Sequence, residues 1–302
     1  MRQISLEDAK NIHFDKLSLA LGTFDGLHVG HMALIEAVEG GRGESAVFTF
    51  DSVPMELFNA DTRPMRLFTL EEKVAAFRLT GIDYLCAVHF DRAMAAVRHD
   101  AFLGTLIRAF RPERVIVGYN FSYGRRAEGN AETLQAAGDA LGFEVCVIPP
   151  VMFEGEPVSS TRIRECLLAG RVERVGMLLG YSYSVGGVVG HGRGIGHKLL
   201  YPTANIEVSH EKLLPRKGVY EVSVIAEGQK YRGVCNIGVN PTVSKGSRET
   251  VETHIIGLDR DLYDQHITIQ FIRRIRDEVR FHDAQSLREQ ITCDIESILM
   301  DK

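Results

Sequence analysis

Much of what marks a chain for a special environment is missing from these 302 residues. The five cysteines (Cys86, Cys146, Cys166, Cys235 and Cys293) are scattered, with no Cys-x-x-Cys and no pairing pattern. That usage excludes a disulfide scaffold and a cysteine-rich zinc site, and it points to a reducing compartment. No window reaches the ~20 consecutive apolar residues of a membrane-spanning helix. The opening MRQISLEDAKNIHFDK carries acidic residues and no apolar core, so it is expected not to act as a secretory signal. Nor is positive charge in excess: 35 Lys and Arg face 40 Asp and Glu, giving −5. A nucleic-acid or anionic-membrane partner is therefore not expected. What is there, 45% apolar and 25% charged residues, suits a cytoplasmic enzyme or small-ligand binder with one large or two ordinary domains.

The two halves have different textures. Up to about residue 180, short apolar runs alternate with helical patterns: LSLALG (17–22), SAVFTF (45–50), DYLCAVHF (83–90), ERVIVG (113–118) and FEVCVI (143–148). Between them lie MALIEAVEG, LEEKVAAFRLTG, DAFLGTLIRAF and AETLQAAGDALG, several closed by a glycine suited to a left-handed cap. This alternation predicts a parallel, Rossmann-like sheet covered on both faces, with its ligand at the carboxyl ends of the strands. After two short helices ending at Gly180, glycine- and proline-punctuated β runs take over (YSVGGVV, GVYEVSVIAEG, KYRGVCNIG, ETHIIGL, HITIQFIRRI). They predict an antiparallel sheet or small barrel, closed by one C-terminal helix. In that helix Leu287, Ile291, Ile295 and Leu299 recur every four residues and are expected to form one core-facing stripe. The expected domains are 1–181 and 182–302, with no long linker or internal repeat.

The first apolar run breaks into GTFDGLHVGH, just before a helix. A glycine-bearing loop between strand and helix is a ready anion site, because free N–H groups and the helix dipole both favour negative charge. His28 and His31 are i, i+3 neighbours and can reach one phosphate chain. A zinc pair and a plain capped helix compete with that reading, although no third zinc ligand is evident nearby. The dinucleotide fingerprint does not fit this loop. SSTRIR (159–164) opens another helix; alone it is as well explained by simple N-capping. VGYNFSYGRRAEGN (117–130) follows the fourth predicted strand, which would bring Asn120 to the same sheet edge.

In the second half, VVGHGRGIGHKLLYPTANI contains no Walker A sequence. Thr203 and Asn205 in PTAN are two apart and share one side of a strand, offering the hard oxygens that Mg²⁺ prefers. Glu252, in the alternating VETHII, is placed to accept a proton from an alcohol or is a solvated strand charge. Arg273, Arg274, Arg276 and Arg280 form a basic run, read either as a solvated face or as a cover for a phosphorylated product.

Gly22-x-Phe24-Asp25-Gly26-x-His28-x-Gly30-His31 followed by Ser-Ser-Thr-x-Ile-Arg resembles the HxGH nucleotidyltransferase superfamily, and the absence of a lysine-rich KMSKS-like loop disfavours an aminoacyl-tRNA synthetase. With VGYNFSYG, PTAN, NIGVNPT, Glu-x-His and the arginine-rich strand, almost the whole chain resembles the bacterial bifunctional riboflavin kinase/FAD synthetase family. The resemblance implies two ATP-dependent reactions, riboflavin to FMN in the barrel and FMN to FAD plus pyrophosphate in the parallel-sheet domain. It assigns His28, His31 and Asn120 to adenylyl transfer, with Gly22, Phe24, Asp25, Gly30, Ser159, Ser160, Thr161 and Arg164 around ATP. In the barrel it assigns Thr203 and Asn205 to Mg²⁺-ATP, Glu252 to the base, and Arg273 and Arg276 to the flavin. It further implies Mg²⁺ as cofactor, riboflavin, FMN and ATP as partners, and a monomer or transient homo-oligomer. Two other readings stay open: a nucleotidyltransferase for a different phosphate acceptor, and a flavin-binding regulator without turnover. Leu200-Tyr201, Ser52 and Tyr181-Ser182 depart from the usual family pattern.

Overall fold

A computed structural model describes residues 1–58, 66–190, 203–239, 249–279 and 281–300. Within it the chain divides into two compact units, Met1–Ser160 and Thr161–Lys302. The expectations for Leu200-Tyr201, for Pro202 of PTAN, for 240–242 of NIGVNPT and for Arg280 lie outside the described residues.

The strands of the first unit are β1 (Arg2–Gln3), β2 (Ser18–Leu21), β3 (Ser45–Phe50), β4 (Tyr84–Val88), β5 (Arg114–Gly118) and β8 (Glu144–Ile148), with small hairpins β6 (Ser122–Tyr123)–β7 (Gly129–Asn130) and β9 (Met152–Phe153)–β10 (Glu156–Pro157). The main sheet runs β1-β4-β3-β2-β5-β8, every pair parallel. Its helices are α1 (Leu6–Asn11), α2 (Val29–Glu39), α3 (Pro54–Phe58), α4 (Leu70–Arg78), α5 (Arg92–Ala95), α6 (His99–Phe110) and α7 (Ala131–Leu141). Alternate residues of the strands feed two cores. Leu19, Leu21, Phe48 and Val117 pack with Leu106 and Phe110, whereas Ala20, Val47 and Ile116 pack with Ile35, Val38 and Phe77. Burial on both faces is why these strands read as nearly unbroken apolar runs. The two-residue β1 was too short to be visible in the sequence.

The order of the sheet sets the place of chemistry. From β2 the chain steps outward through β3 and β4, then returns to lay β5 on the other side of β2. Loops leaving β2 and β5 diverge at their carboxyl ends, and the crevice between them is where ligands of such sheets bind.

In the second unit, α8 (Ser160–Leu168) and α9 (Val172–Leu179) precede a closed barrel of order β11-β12-β15-β14-β13-β16. These strands are β11 (Ser184–Gly190), β12 (Thr203–Val208), β13 (Gly218–Ala226), β14 (Gln229–Val239), β15 (Glu249–Ile255) and β16 (His266–Arg276), all paired antiparallel. The sequence placed α8 and α9 with the first half. In the structure the backbone N–H of Arg216 donates to Leu167 O at 2.9 Å, and that of Arg274 to Glu173 Oε1 at 3.2 Å.

The C-terminal helix (Ala284–Met300) covers β13 and β14, burying Ile298 fully against Val219 and Val234. Here one expectation fails, because Leu299 is 50% exposed. A four-residue step turns 400°, so a strict i, i+4 series drifts by about 120° over three steps and leaves the contact face. Ile298 and Asp294 occupy that face instead.

Candidate functional site

The GTFDG loop leaves β2 in a backbone conformation that few residues tolerate. Phe24, Gly26 and Leu27 all have positive φ, at 45°, 87° and 36°. For Phe24 and Leu27 this costs on the order of 1–2 kcal/mol each, so surrounding contacts must hold the loop. The Asp25 carboxylate, 2% exposed, accepts the backbone N–H groups of Leu67 at 3.0 Å and Phe68 at 3.0 Å. The Thr23 carbonyl accepts both the Thr49 hydroxyl, at 3.0 Å, and the Lys73 ammonium, at 2.9 Å. Ser160 Oγ donates to Asp25 O at 2.9 Å, joining the start of SSTRIR to the loop. Gly22 N–H donates to Phe48 O, and the Phe24 ring is buried between Phe77 and His31. Phe24 and Asp25 therefore shape the loop from behind.

His28 is the N-cap of α2, with its Nδ1 accepting the His31 N–H at 3.2 Å. An accepting Nδ1 places the ring proton on Nε2, which becomes the donor at the other edge of the ring. The two imidazoles stack, with centroids 3.6 Å apart and planes 15° apart. Gly30 makes room for this: a Cβ there would lie 3.1 Å from Cε1 and Nδ1 of His28. Asn120 is exposed just beyond β5, on the neighbouring strand end. Thus His28 and His31, at the start of α2, and Asn120, just after β5, follow the two strand ends that flank the crevice. Ser159 is half-buried; Thr161 is exposed and Arg164 is buried on α8 in the second unit.

The barrel site is set by strand register. Buried Val251, Thr253 and Ile255 alternate with half-buried Glu252 and His254, so the latter pair lies on the outer face. Glu252 is directly opposite Asn205 on β12 and Asn236 on β14, and His254 is opposite Thr203. Thr203, Asn205 and Glu252 therefore share one outer patch, to which the structure adds Asn236 and His254. The row continues from Asn236 to Val219 and then to Arg276. Arg276 is thus three strands from Glu252, on the opposite side of the closed six-stranded barrel. Among the described residues no group of three or more His, Cys, Asp or Glu could hold a metal by itself. A threonine hydroxyl, an asparagine carbonyl and one carboxylate fit Mg²⁺, which keeps several waters and phosphate oxygens in its shell.

Both arginines expected at the flavin are engaged with the C-terminal helix. Arg276 grips Asp294, itself 3% exposed, through Nε at 3.0 Å and Nη2 at 2.7 Å. Arg273 donates to Glu221 at 2.6 Å and to Ser297 O at 3.2 Å, while Arg232 donates to Glu221 at 3.0 Å and to Ile298 O. Burial works against the Glu221 charge, but these two guanidiniums overcome it and hold its carboxyl below the usual range.

Sequence reasoning missed Lys73. On α4 it lies beside Val74 and one turn before Phe77, all three buried, and a lysine on an otherwise apolar stripe was the available signal.

The chain matches two family models, one described as FAD synthetase over residues 11–162 and one as riboflavin kinase over residues 179–300. A bifunctional riboflavin kinase/FMN adenylyltransferase of Escherichia coli K12 is 36% identical over 282 residues, covering 91% of this chain and 90% of the relative. A protein of the same description from Listeria monocytogenes is 32% identical, covering 91% and 89%. A crystal structure described as a macrolide-efflux protein of Streptococcus pneumoniae superposes with a TM-score of 0.87 at 29% identity, covering 97% of each chain. Efflux is said of that protein; among the described residues here, no helix is long and apolar enough to cross a membrane. With a family match on each half and relatives aligned across nine-tenths of its length, the chain belongs to the bifunctional riboflavin kinase/FMN adenylyltransferase family.

Proposed function

We propose that this chain is a two-reaction flavin enzyme, making FMN from riboflavin and ATP and then FAD and pyrophosphate from FMN and a second ATP. The observation that carries the reading is the pair of family matches, one for each reaction, along a single chain. We assign residues 1–181 to adenylyl transfer and 182–302 to the kinase.

In adenylyl transfer an FMN phosphate oxygen bonds to the α-phosphorus of ATP, and the bond to the pyrophosphate oxygen breaks. The protein's work is alignment and charge stabilisation. Nε2–H of His28, with its tautomer set by the Nδ1 contact, donates to a phosphate oxygen as charge builds on the leaving group. His31, stacked upon it, holds the neighbouring oxygen. Asn120 donates from the β5 side, and the FAD-synthetase motif adds Ser159, Ser160, Thr161 and Arg164.

In the kinase reaction Glu252 accepts the proton of the ribityl hydroxyl as that oxygen bonds to the γ-phosphorus and the bond to the β–γ bridging oxygen breaks, releasing ADP. Thr203 and Asn205 would hold Mg²⁺ with ATP. The bound metal neutralises phosphate charge. Arg273 and Arg276 fix the strand and helix that flank the flavin. The enzyme works in the cytoplasm, as a monomer or transient homo-oligomer, without nucleic-acid or membrane partners.

The test is to incubate the purified chain with riboflavin, ATP and Mg²⁺ and to separate the flavins. FMN followed by FAD is expected. FAD formed only from added FMN leaves the barrel inactive, and no product at all refutes both assignments.

A further inference from the structure

Among the described residues, Lys73 is a buried cation that neither reaction has yet used. Lys73 is 3% exposed, and its ammonium donates to Phe50 O at 2.6 Å and to Thr23 O at 2.9 Å. Phe50 ends β3, and Thr23 follows β2 by two residues, so one ammonium ties together the carboxyl ends of two adjacent parallel strands. Thr23 also lies inside the loop whose φ angles are strained and which leads directly to His28. An ammonium has three hydrogens, and two backbone carbonyls use two of them.

We propose that Lys73 is a positioning residue for adenylyl transfer, fixing the Thr23 end of the GTFDG loop against β3 and maintaining a positive charge behind the triphosphate site. The proposal rests on the adenylyl-transfer reading and extends it to a residue outside the HxGH and SSTRIR strings. A neutral donor would satisfy the two carbonyls as well. The cation adds attraction for the phosphate oxygens, which in a low-dielectric wall reaches further than a surface charge does.

Burial pushes the Lys73 ammonium down to about 8, despite the raising influence of the nearby carboxylates. The charged groups around it are Asp25 in the loop, Asp51 after β3, Glu56 on α3 and Arg66 before α4; Asp51 is itself bonded to His89 at 2.7 Å. The charge is therefore present below about pH 8 and lost above it. The second phosphate ionisations of the substrates lie near pH ~6 and are complete well before this. A neutral amine keeps two N–H groups for Thr23 and Phe50, so the loop stays tied while the charge disappears.

The experiment uses the full chain, with FMN and ATP as substrates and riboflavin phosphorylation as an internal control. Lys73→Met should lower kcat for FAD formation about 100-fold, the scale of misplacing reacting groups by about 1 Å. Kinase kcat should stay within about twofold, as expected for a site on a separate compact unit. In the wild type, kcat for FAD formation should fall along a one-proton limb above about pH 8, while circular dichroism shows the fold intact. Lys73→Arg, charged at every pH tested, should move that limb out of range. FAD formation by Lys73→Met within about threefold of wild type overturns the proposal. So does a wild-type profile that is flat to about pH 9.5, or a limb that Lys73→Arg leaves in place. If Lys73→Met does not fold, the wild-type and Lys73→Arg profiles decide alone. A wild type that makes no FAD from FMN would instead overturn the adenylyl-transfer reading.

Discussion

The two units mount their chemistry on opposite kinds of backbone. In the first, His28 and His31 at the start of α2 and Asn120 after β5 are set by the loops that leave β2 and β5, and the loop to His28 keeps its strained path through Asp25, Thr49, Ser160 and Lys73. In the second, Asn205, Glu252 and Asn236 are consecutive cross-strand partners in a closed barrel, so ladder hydrogen bonds set their spacing. A loop site depends on side chains distant in sequence that hold its path. A ladder site depends on register, which one residue of slip would invert for the whole strand.

The largest effect that tests this contrast is at the ladder. Glu252→Gln should lower FMN formation about 10²–10⁴-fold by removing the proton acceptor, with FAD formation from supplied FMN unchanged. Flavin separation on both substrates checks it, and equal loss of both activities in a folded protein would refute two separate sites. His28→Ala should do the reverse, lowering FAD formation about 10²–10³-fold. That variant also loses an N-cap interaction worth about 1 kcal/mol, which thermal unfolding reads separately.

Asp25→Asn should show the dependence of the loop on its supports. Its amide keeps one acceptor oxygen for the Leu67 and Phe68 N–H groups and turns an N–H₂ toward them. A loss of about 1–3 kcal/mol in stability of the first unit is expected, with reduced FAD formation and intact FMN formation. Equal stability and full FAD formation would mean the loop does not need this carboxylate.

The smallest effect concerns the barrel and its helix. Glu221 has a depressed folded-state pKa, so its stabilisation is present above the ordinary carboxylate range and disappears as pH falls through the folded value. Glu221→Gln should therefore destabilise the protein at neutral pH, and its unfolding curve should converge with wild type in acid. A constant gap at all pH values would show that shape, not charge, is what Arg273 and Arg232 require.

What the sequence made legible follows the same division. The parallel sheet was readable because strands buried on both faces leave nearly pure apolar runs, as in SAVFTF, where five of six residues are buried. The histidines were readable because their chemistry is local, an i, i+3 pair at a helix start. Asp25 was visible only as a member of its string; the amides it accepts lie 42 and 43 residues away, where no local pattern could point. Arg273 and Arg276 read as a solvated or product-facing run because Glu221 and Asp294, which take up their charge, are 52 and 18 residues distant. Lys73 broke an apolar stripe, but a single lysine on a helix ordinarily snorkels to solvent, and only the tertiary fold closes that exit. Leu299 misled because a period of four is close to, but not equal to, the turn of a helix.

The strained loop also bears on protein design. GTFDGLHVGH looks portable, ten residues carrying both histidines, yet three of its backbone angles are held from outside the string. A graft of those residues alone onto another strand–helix junction would relax Phe24 and Leu27 toward ordinary φ and turn His28 away from His31. The smallest transplantable unit is the loop together with the end of β3, the segment from Leu67 to Lys73, which supplies the amides and the ammonium, and the Ser160 hydroxyl.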